Sequence, residues 1–253
     1  VAAEEVLMVD PGRLNFALYK NIPENVKKVE ERNPAILFKC VKNPTEVENI
    51  RIAEIKDSVA HVRFMKWLKE NVGKETITEM SASDKLDEFR AEMGGFIRPS
   101  FGPISAFGEH SAIVHYSSSP ETNVELHEGT FLMTDTGAGF YEGSTDITRT
   151  YAFGEVSQIM KDHFTLVAIS NLNLASPIFK KGCCGMNFDY LARKPFWDRG
   201  LDFNHGTGHG VGYLLNIHEG PAGFRYTYRA GESDAFQPGM VITDEPGIYI
   251  EGS

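Results

Sequence analysis

The stretch "FLMTDTGAGFYEGSTDITRT", residues 131–150, places Asp135 and Asp146 on two strand-like runs that flank a turn. With the turn centred between Phe140 and Tyr141, the numbers of antiparallel partners sum to 281, and Asp135 faces Asp146 across the hairpin. Like charges directly opposite in a sheet are destabilising. A cation, a shared proton or Arg149 must then compensate. Carboxylates are the hard oxygen ligands that divalent ions take. A second reading stays open: a bulge shifts the register, and both acids are solvated at the rim of the turn.

Further ligands lie downstream. His209 sits in "GTGHGVG" and Glu245 in "TDEPGIY", just before a turn-forming Pro246–Gly247 pair. Asp135, Asp146, His209 and Glu245 form an oxygen-rich set with one nitrogen. That suits a two-ion site for Mn, Co, Fe or Zn better than a structural zinc, which usually takes thiolates. In such sites the ions stand roughly 3.5–4 Å apart and share a nucleophilic hydroxide.

The glycines around His209 could cradle phosphate, loosen a loop, or leave room for close backbone packing. The phosphate reading fails on spacing. Val211 and Tyr213 occupy the last position of G-x-G-x-x-G counted from Gly206 and Gly208, and no G-x-x-x-x-G-K-[ST], H-E-x-x-H or G-x-S-x-G occurs. His205 and His218, read singly, are hydrogen-bonded core or turn residues.

The elements that must position these groups follow from pattern. "VLMVDPG" and "AILFKCV" read as strands. Asn43, Pro44 and Glu46 form a helix start with a capping box, and Ile52, Ile55, Val59 and Val62 recur at helical spacing to about Gly73. A second helix opens near Thr76, with Glu79 three residues on. It carries Ala82, Leu86, Phe89 and Met93 on one face and ends at Gly94–Gly95. Residues 96–153 read as sheet. A third helix runs from Ser157 to Ala175; a fourth, broken at Pro195, ends near Gly200. Residues 203–253 return to strands and glycine-rich turns. Segregated strand and helix runs predict an α+β fold.

Bulk properties exclude several function classes. The chain has 253 residues, 42% hydrophobic and 24% charged, with a formal net charge of −10. That balance argues against a nucleic-acid or anionic-membrane partner. No apolar run reaches the roughly 18 residues of a membrane span, and the N-terminus carries acids where a signal peptide carries bases. Cys40, Cys183 and Cys184 are too few for a disulfide framework, and adjacent cysteines bridge only with strain, so reduced thiols and a cytoplasmic location are expected. The start without methionine and the stop within a strand-like run are read as a fragment of a longer polypeptide.

Five motifs in order carry a resemblance: "KNPTEVENIR" (42–51), "IVHYSSSPETN" (113–123), "TDTGAGFYEGSTDITRT" (134–150), "HGTGHGVGYLLNIHEGP" (205–221) and "PGMVITDEPGIY" (238–249). Together they resemble the metallopeptidases of the pita-bread (creatinase/aminopeptidase) fold, a mixed curved sheet covered by helices. Among these they are most similar to the X-prolyl aminopeptidases (aminopeptidase P) of the eukaryotic cytosolic type. The resemblance implies a catalytic domain over residues 36–253, with residues 1–35 as the end of a preceding creatinase-N-like domain.

The resemblance also implies roles. Asp135 would bind one metal, Asp146 would bridge two, and His209 and Glu245 would hold the other. His115 and His218 would position substrate and shuttle protons, with Glu245 sharing the proton relay. His205 would stand near a proline pocket. The implied cofactors are two divalent ions, manganese first, with cobalt, zinc or iron as alternatives. The implied partners are peptides with proline second, and a second subunit in a homodimer. The family carries another glutamate some fourteen residues beyond the position of Glu245, past Ser253, so the chain as given is expected to be inactive by itself. The competing readings are a prolidase, a methionine aminopeptidase, a non-catalytic peptide-binding module of the same fold, and an interaction domain with no site.

Overall fold

A computed structural model describes residues 5–252. The chain divides into two compact units, residues 1–39 and 40–253. In the first, β1 (Val6–Val9) pairs in parallel with β2 (Lys27–Glu30), and α1 (Phe16–Lys20) lies between them in sequence. The run "AILFKC", expected as a strand, is instead the helix α2 (Ala35–Cys40). Asn33 starts it: its side-chain oxygen accepts the Ala35 N–H at 3.0 Å, which turns the chain into the helix at Pro34.

The second unit opens with α3 (Pro44–Asn71). The expected capping box is present, with Asn43 accepting from Glu46 N–H and Glu46 accepting from Asn43 N–H. The helix buries Ile50, Ala53, Asp57, Ala60, His61, Phe64 and Leu68. The stripe Ile52, Ile55, Val59 and Val62 marks the helical period but faces outward, with Ile55 64% and Val62 60% exposed. It is offset by two residues, about 200° around the axis, from the face that packs. Asp57 and His61 disguise the true inner face, because charged residues are normally read as solvated.

The next helix, α4 (Glu79–Glu92), is capped by Thr78 and Ser81 rather than opened at Thr76. Glu79 is not a capping acid: it is fully buried and accepts from the Phe107 N–H and the Tyr116 hydroxyl. Gly94 and Gly95 end the helix in the left-handed region, with φ of 74° and 79°.

Six strands follow: β3 (Phe96–Pro99), β4 (Ile104–Phe107), β5 (Phe131–Thr136), β6 (Ala138–Phe140), β7 (Gly143–Ser144) and β8 (Ile147–Ala152). They form two antiparallel sheets, ordered β4-β5-β8 and β3-β6-β7. Phe64, Leu68, Ala82, Leu86, Phe107, Leu132 and Tyr151 form the core between α3, α4 and the first of these sheets. Then come α5 (Gln158–Ala175), capped by Ser157, and α6 (Asp189–Trp197). Pro195 lies within α6 instead of breaking it, and the helix closes at Trp197, short of Gly200. Finally β9 (Gly208–Val211) pairs antiparallel with β10 (His218–Phe224), and residue 242 bridges to Gly210.

Candidate metal centre

The hairpin carrying the two aspartates turns one residue later than its sequence suggests. Phe140 pairs with Gly143 and Asp135 with Thr148, so the centre lies between Tyr141 and Glu142. Asp146 is therefore not directly opposite Asp135. It sits just before β8, two residues from Asp135's partner, and period two keeps it on the same face. Both acids still line one cavity and repel each other. The Asp135 carboxyl is pushed up to about 6, first by burial and then by the Asp146 charge.

The other groups arrive from far along the chain. Residues 241–245 run beside β9: the Thr243 N–H donates to His209 O at 2.8 Å, and the Glu245 N–H donates to Thr207 O at 2.9 Å. His209 Nδ1 lies 2.9 Å from Gly210 O, which sets Nδ1 as the protonated nitrogen and leaves Nε2 as the open position. That Nε2 is 3.3 Å from Asp146 Oδ2 and 3.6 Å from Glu245 Oε1. Burial pulls the His209 pKa down, but the Asp146 hydrogen bond, the Gly210 carbonyl and the Glu245 charge outweigh it, and the net movement is upward. Glu245 is pushed up to about 7, chiefly by burial; His209 opposes the rise and the Asp146 charge adds to it.

Asp135, Asp146, His209, Glu245, His115, His205 and His218 all line a single cavity of roughly 1320 Å3. His115 holds a left-handed backbone, φ 59°, uncommon for a residue other than glycine. His218 packs edge-on against His209 at 4.4 Å, and burial followed by the His209 charge lowers its pKa. His205 approaches Gly206 O at 2.8 Å through Nδ1, and its buried Nε2 has no hydrogen-bond partner.

The glycines of "GTGHGVG" provide packing room. A Cβ at Gly208 would lie 2.0 Å from Thr243 O, and one at Gly210 would lie 2.0 Å from Glu219 O. Sequence reading missed Thr243, whose hydroxyl donates to Glu245 Oε1 at 3.0 Å and accepts from the His209 N–H at 2.9 Å. A lone threonine carries no signal of that duty.

Among the described residues, no three His, Cys, Asp or Glu side chains stand at the spacing of a ready-made ligand cage. Asp146 and Glu245 instead touch His209 directly. The chemistry of the set nevertheless fits a cation. Asp135 Oδ1 is buried without a partner. Two carboxyls meet one imidazole, with Asp135 lining the same cavity, and that imidazole donates its far N–H to a carbonyl, the usual arrangement of a metal-ligating histidine.

The raised carboxyls fix the sign of a pH effect. Ligands must lose protons to take a cation. As pH falls through about 7 and then about 6, Glu245 and Asp135 protonate in turn. Affinity for a divalent cation is expected to drop roughly ten- to a hundredfold per pH unit below pH 6, with protons released on binding. Calorimetric titration in buffers of different ionisation enthalpy measures both. Stability of the metal-free protein runs the other way. Carboxyls whose folded pKa is raised bind protons more tightly folded than unfolded, so their contribution is lost as pH rises through the same window.

Comparison with known proteins identifies the framework. Residues 48–253 match metallopeptidase family M24. The chain is 38% identical over 244 residues to a probable Xaa-Pro aminopeptidase P of Botryotinia fuckeliana, covering 96% of this chain and 37% of that protein. It superposes on a crystal structure of X-prolyl aminopeptidase from Caenorhabditis elegans, described as a cytosolic enzyme with a di-nuclear active site, with a TM-score of 0.89 and 34% identity. That match covers 96% of this chain and 39% of the other. Prolidase from Pyrococcus furiosus gives a TM-score of 0.80 at 27% identity, over 98% and 69% of the two chains. The chain thus spans about two fifths of the length of the curated relatives it matches. The expected pita-bread fold is the one present, and the chain belongs to metallopeptidase family M24.

Proposed function

We propose that the protein is a metal-dependent aminopeptidase that releases the N-terminal residue from peptides with proline second. The observation that carries this reading is the meeting of Asp146 and Glu245 on His209 Nε2, with Asp135 and three further histidines lining the same cavity. Asp135, Asp146, His209 and Glu245 would hold two divalent ions, manganese foremost. The chemistry that such ions supply when bound is activation of water near neutral pH and polarisation of a carbonyl.

The chain's own residues supply the rest. His115, fixed in a strained backbone at the cavity wall, donates to the oxygen on which charge develops at the scissile carbonyl. His218, kept neutral by its lowered pKa, would accept the proton that the attacking water loses and pass it to the departing proline nitrogen. Glu245 shares in that relay through its carboxyl. His205 lines the cavity with its ring set edge-on to that of Tyr249 at 5.3 Å, where it would help wall a proline pocket. In this reading residues 36–253 belong to the catalytic domain and residues 1–35 close a preceding one. The protein acts in the cytosol as a homodimer, on peptides. A cytosolic setting is supported by the description of the C. elegans relative. Among the described residues no helix is long and apolar enough to cross a membrane.

A prolidase is the alternative, and substrate length separates the two. The whole protein with Mn2+ is expected to cut Arg-Pro-Pro at least about tenfold faster than Gly-Pro, and a chelator is expected to abolish both. Amino-acid release followed by chromatography measures this. Faster cleavage of the dipeptide would reassign the enzyme, and no cleavage of either would end the proposal.

A further inference from the structure

Beneath the two aspartates lies an ion pair that touches neither the cavity nor solvent. Asp57 on α3 is fully buried, and Arg90 on α4 is 1% exposed. They meet through two prongs: Arg90 Nε to Asp57 Oδ1 at 2.8 Å and Arg90 Nη2 to Asp57 Oδ2 at 3.1 Å. Such pairs are poor devices for stability alone, because desolvation offsets much of the attraction and apolar replacements are often neutral or stabilising. Arg90 Nη1 also reaches Asp87 on its own helix at 3.1 Å, and Nη2 stands 3.4 Å from His61 Nε2, but two other bonds of the pair point to another duty. Arg90 Nη2 also donates to Thr136 Oγ1 at 2.9 Å, and Thr145 Oγ1 donates to Asp57 Oδ2.

Thr136 directly follows Asp135, and Thr145 directly precedes Asp146. Side chains alternate along an extended chain. Thr136 and Thr145 are therefore the buried underside of the two positions whose neighbours face the cavity. Thr145 is gripped twice more: its hydroxyl accepts the Ala138 N–H at 2.8 Å, and its carbonyl accepts from Ser100 Oγ at 2.8 Å. One guanidinium–carboxylate unit thus spans both strands of the hairpin from behind, where Asp135 and Asp146 would otherwise push apart.

We infer that Asp57 and Arg90 are positioning residues for the metal centre, acting through Thr136 and Thr145 to hold the Asp135 and Asp146 carboxylates at ligating separation. This rests on the metal reading above. It extends that reading from the groups lining the cavity to a layer of side chains that no ligand touches.

The test measures Mn2+ uptake by the whole, metal-stripped protein, by calorimetry and by the electron paramagnetic resonance signal of bound Mn2+, alongside thermal unfolding of the metal-free protein. Arg90→Lys keeps the charge but loses the fork. Thr136→Val keeps the shape and the ion pair and removes only the link, so it serves if Arg90→Lys does not fold. Each is expected to bind Mn2+ roughly 10- to 100-fold more weakly, the usual consequence of removing a partner behind a metal ligand. The Thr136→Val protein should unfold at nearly the wild-type temperature, and Thr136→Ser should restore affinity. If the wild type binds Mn2+ and Thr136→Val binds it equally, the positioning role is overturned while the metal reading stands. If the wild type takes up no Mn2+, the metal reading falls and this inference with it.

Discussion

Asp146→Asn is expected to remove divalent-metal uptake and to slow Xaa-Pro cleavage by the whole protein at least about 10³-fold, the scale of losing a preorganised charge at a reacting centre. Asp146 is the hub of the site. It touches His209 Nε2 at 3.3 Å, and its charge is felt by Asp135, Glu245, His218 and Glu54. The substitution therefore has a signature apart from activity. With the Asp146 charge gone, the carboxyls of Asp135 and Glu245 should move back down towards the ordinary range, and His209 should lose part of its upward shift. NMR titration of the metal-free protein reads all three. Asparagine fills the same volume; it relieves the repulsion with Asp135 and Glu245 and weakens the attraction to His209, so thermal stability without metal should change little. A variant that binds Mn2+ like the wild type would remove Asp146 from the ligand set.

Gly210→Ala is expected to destabilise the protein by at least about 3 kcal/mol, the upper end of ordinary overpacking. Gly210 pairs with Glu219 in the β9–β10 ladder, and a Cβ there would lie 2.0 Å from Glu219 O and 3.3 Å from Ala222 O. Both obstacles are backbone, which cannot swing aside as a side chain can. The ladder also carries His209 on one strand and His218 on the other, so relief by strand separation would disturb the site itself. Denaturant unfolding with matched slopes measures the loss. A change below about 1 kcal/mol would show that the strands can part without cost.

Legibility in the sequence followed how local the cause was. The capping box of Asn43 and Glu46 involves neighbours only, and it stands in the structure as read. The site acids and histidines announced themselves by type and by their glycine-rich surroundings. The hairpin centre was misplaced by one residue because "GFYEG" offers two adjacent turn positions with no Asn-Gly to choose between them; the antiparallel partners of β6 decide it. Asp57, Arg90 and Glu79 could not be read as interior groups at all. Their burial depends on partners 28 to 88 positions away, and no spacing rule reaches that far. The inner face of α3 was hidden for the same reason, since a salt bridge replaces an apolar contact at its middle.

The division of the proposed ligands between one hairpin, the strand β9 and the segment running beside it sets an order of assembly. On the ribosome, Asp135 and Asp146 emerge almost together and can pair locally. His209 follows tens of residues later, and Glu245 later still. At about 5–20 residues per second, the half-built site waits on the order of 5–20 s for its remaining donors. Throughout that interval the hairpin carries a pair of mutually repelling carboxylates without the imidazole that stands between Asp146 and Glu245 in the finished fold. On the proposed reading, a complete site exists only after residue 245 has been made, so selection among ions falls to the finished fold rather than to the hairpin.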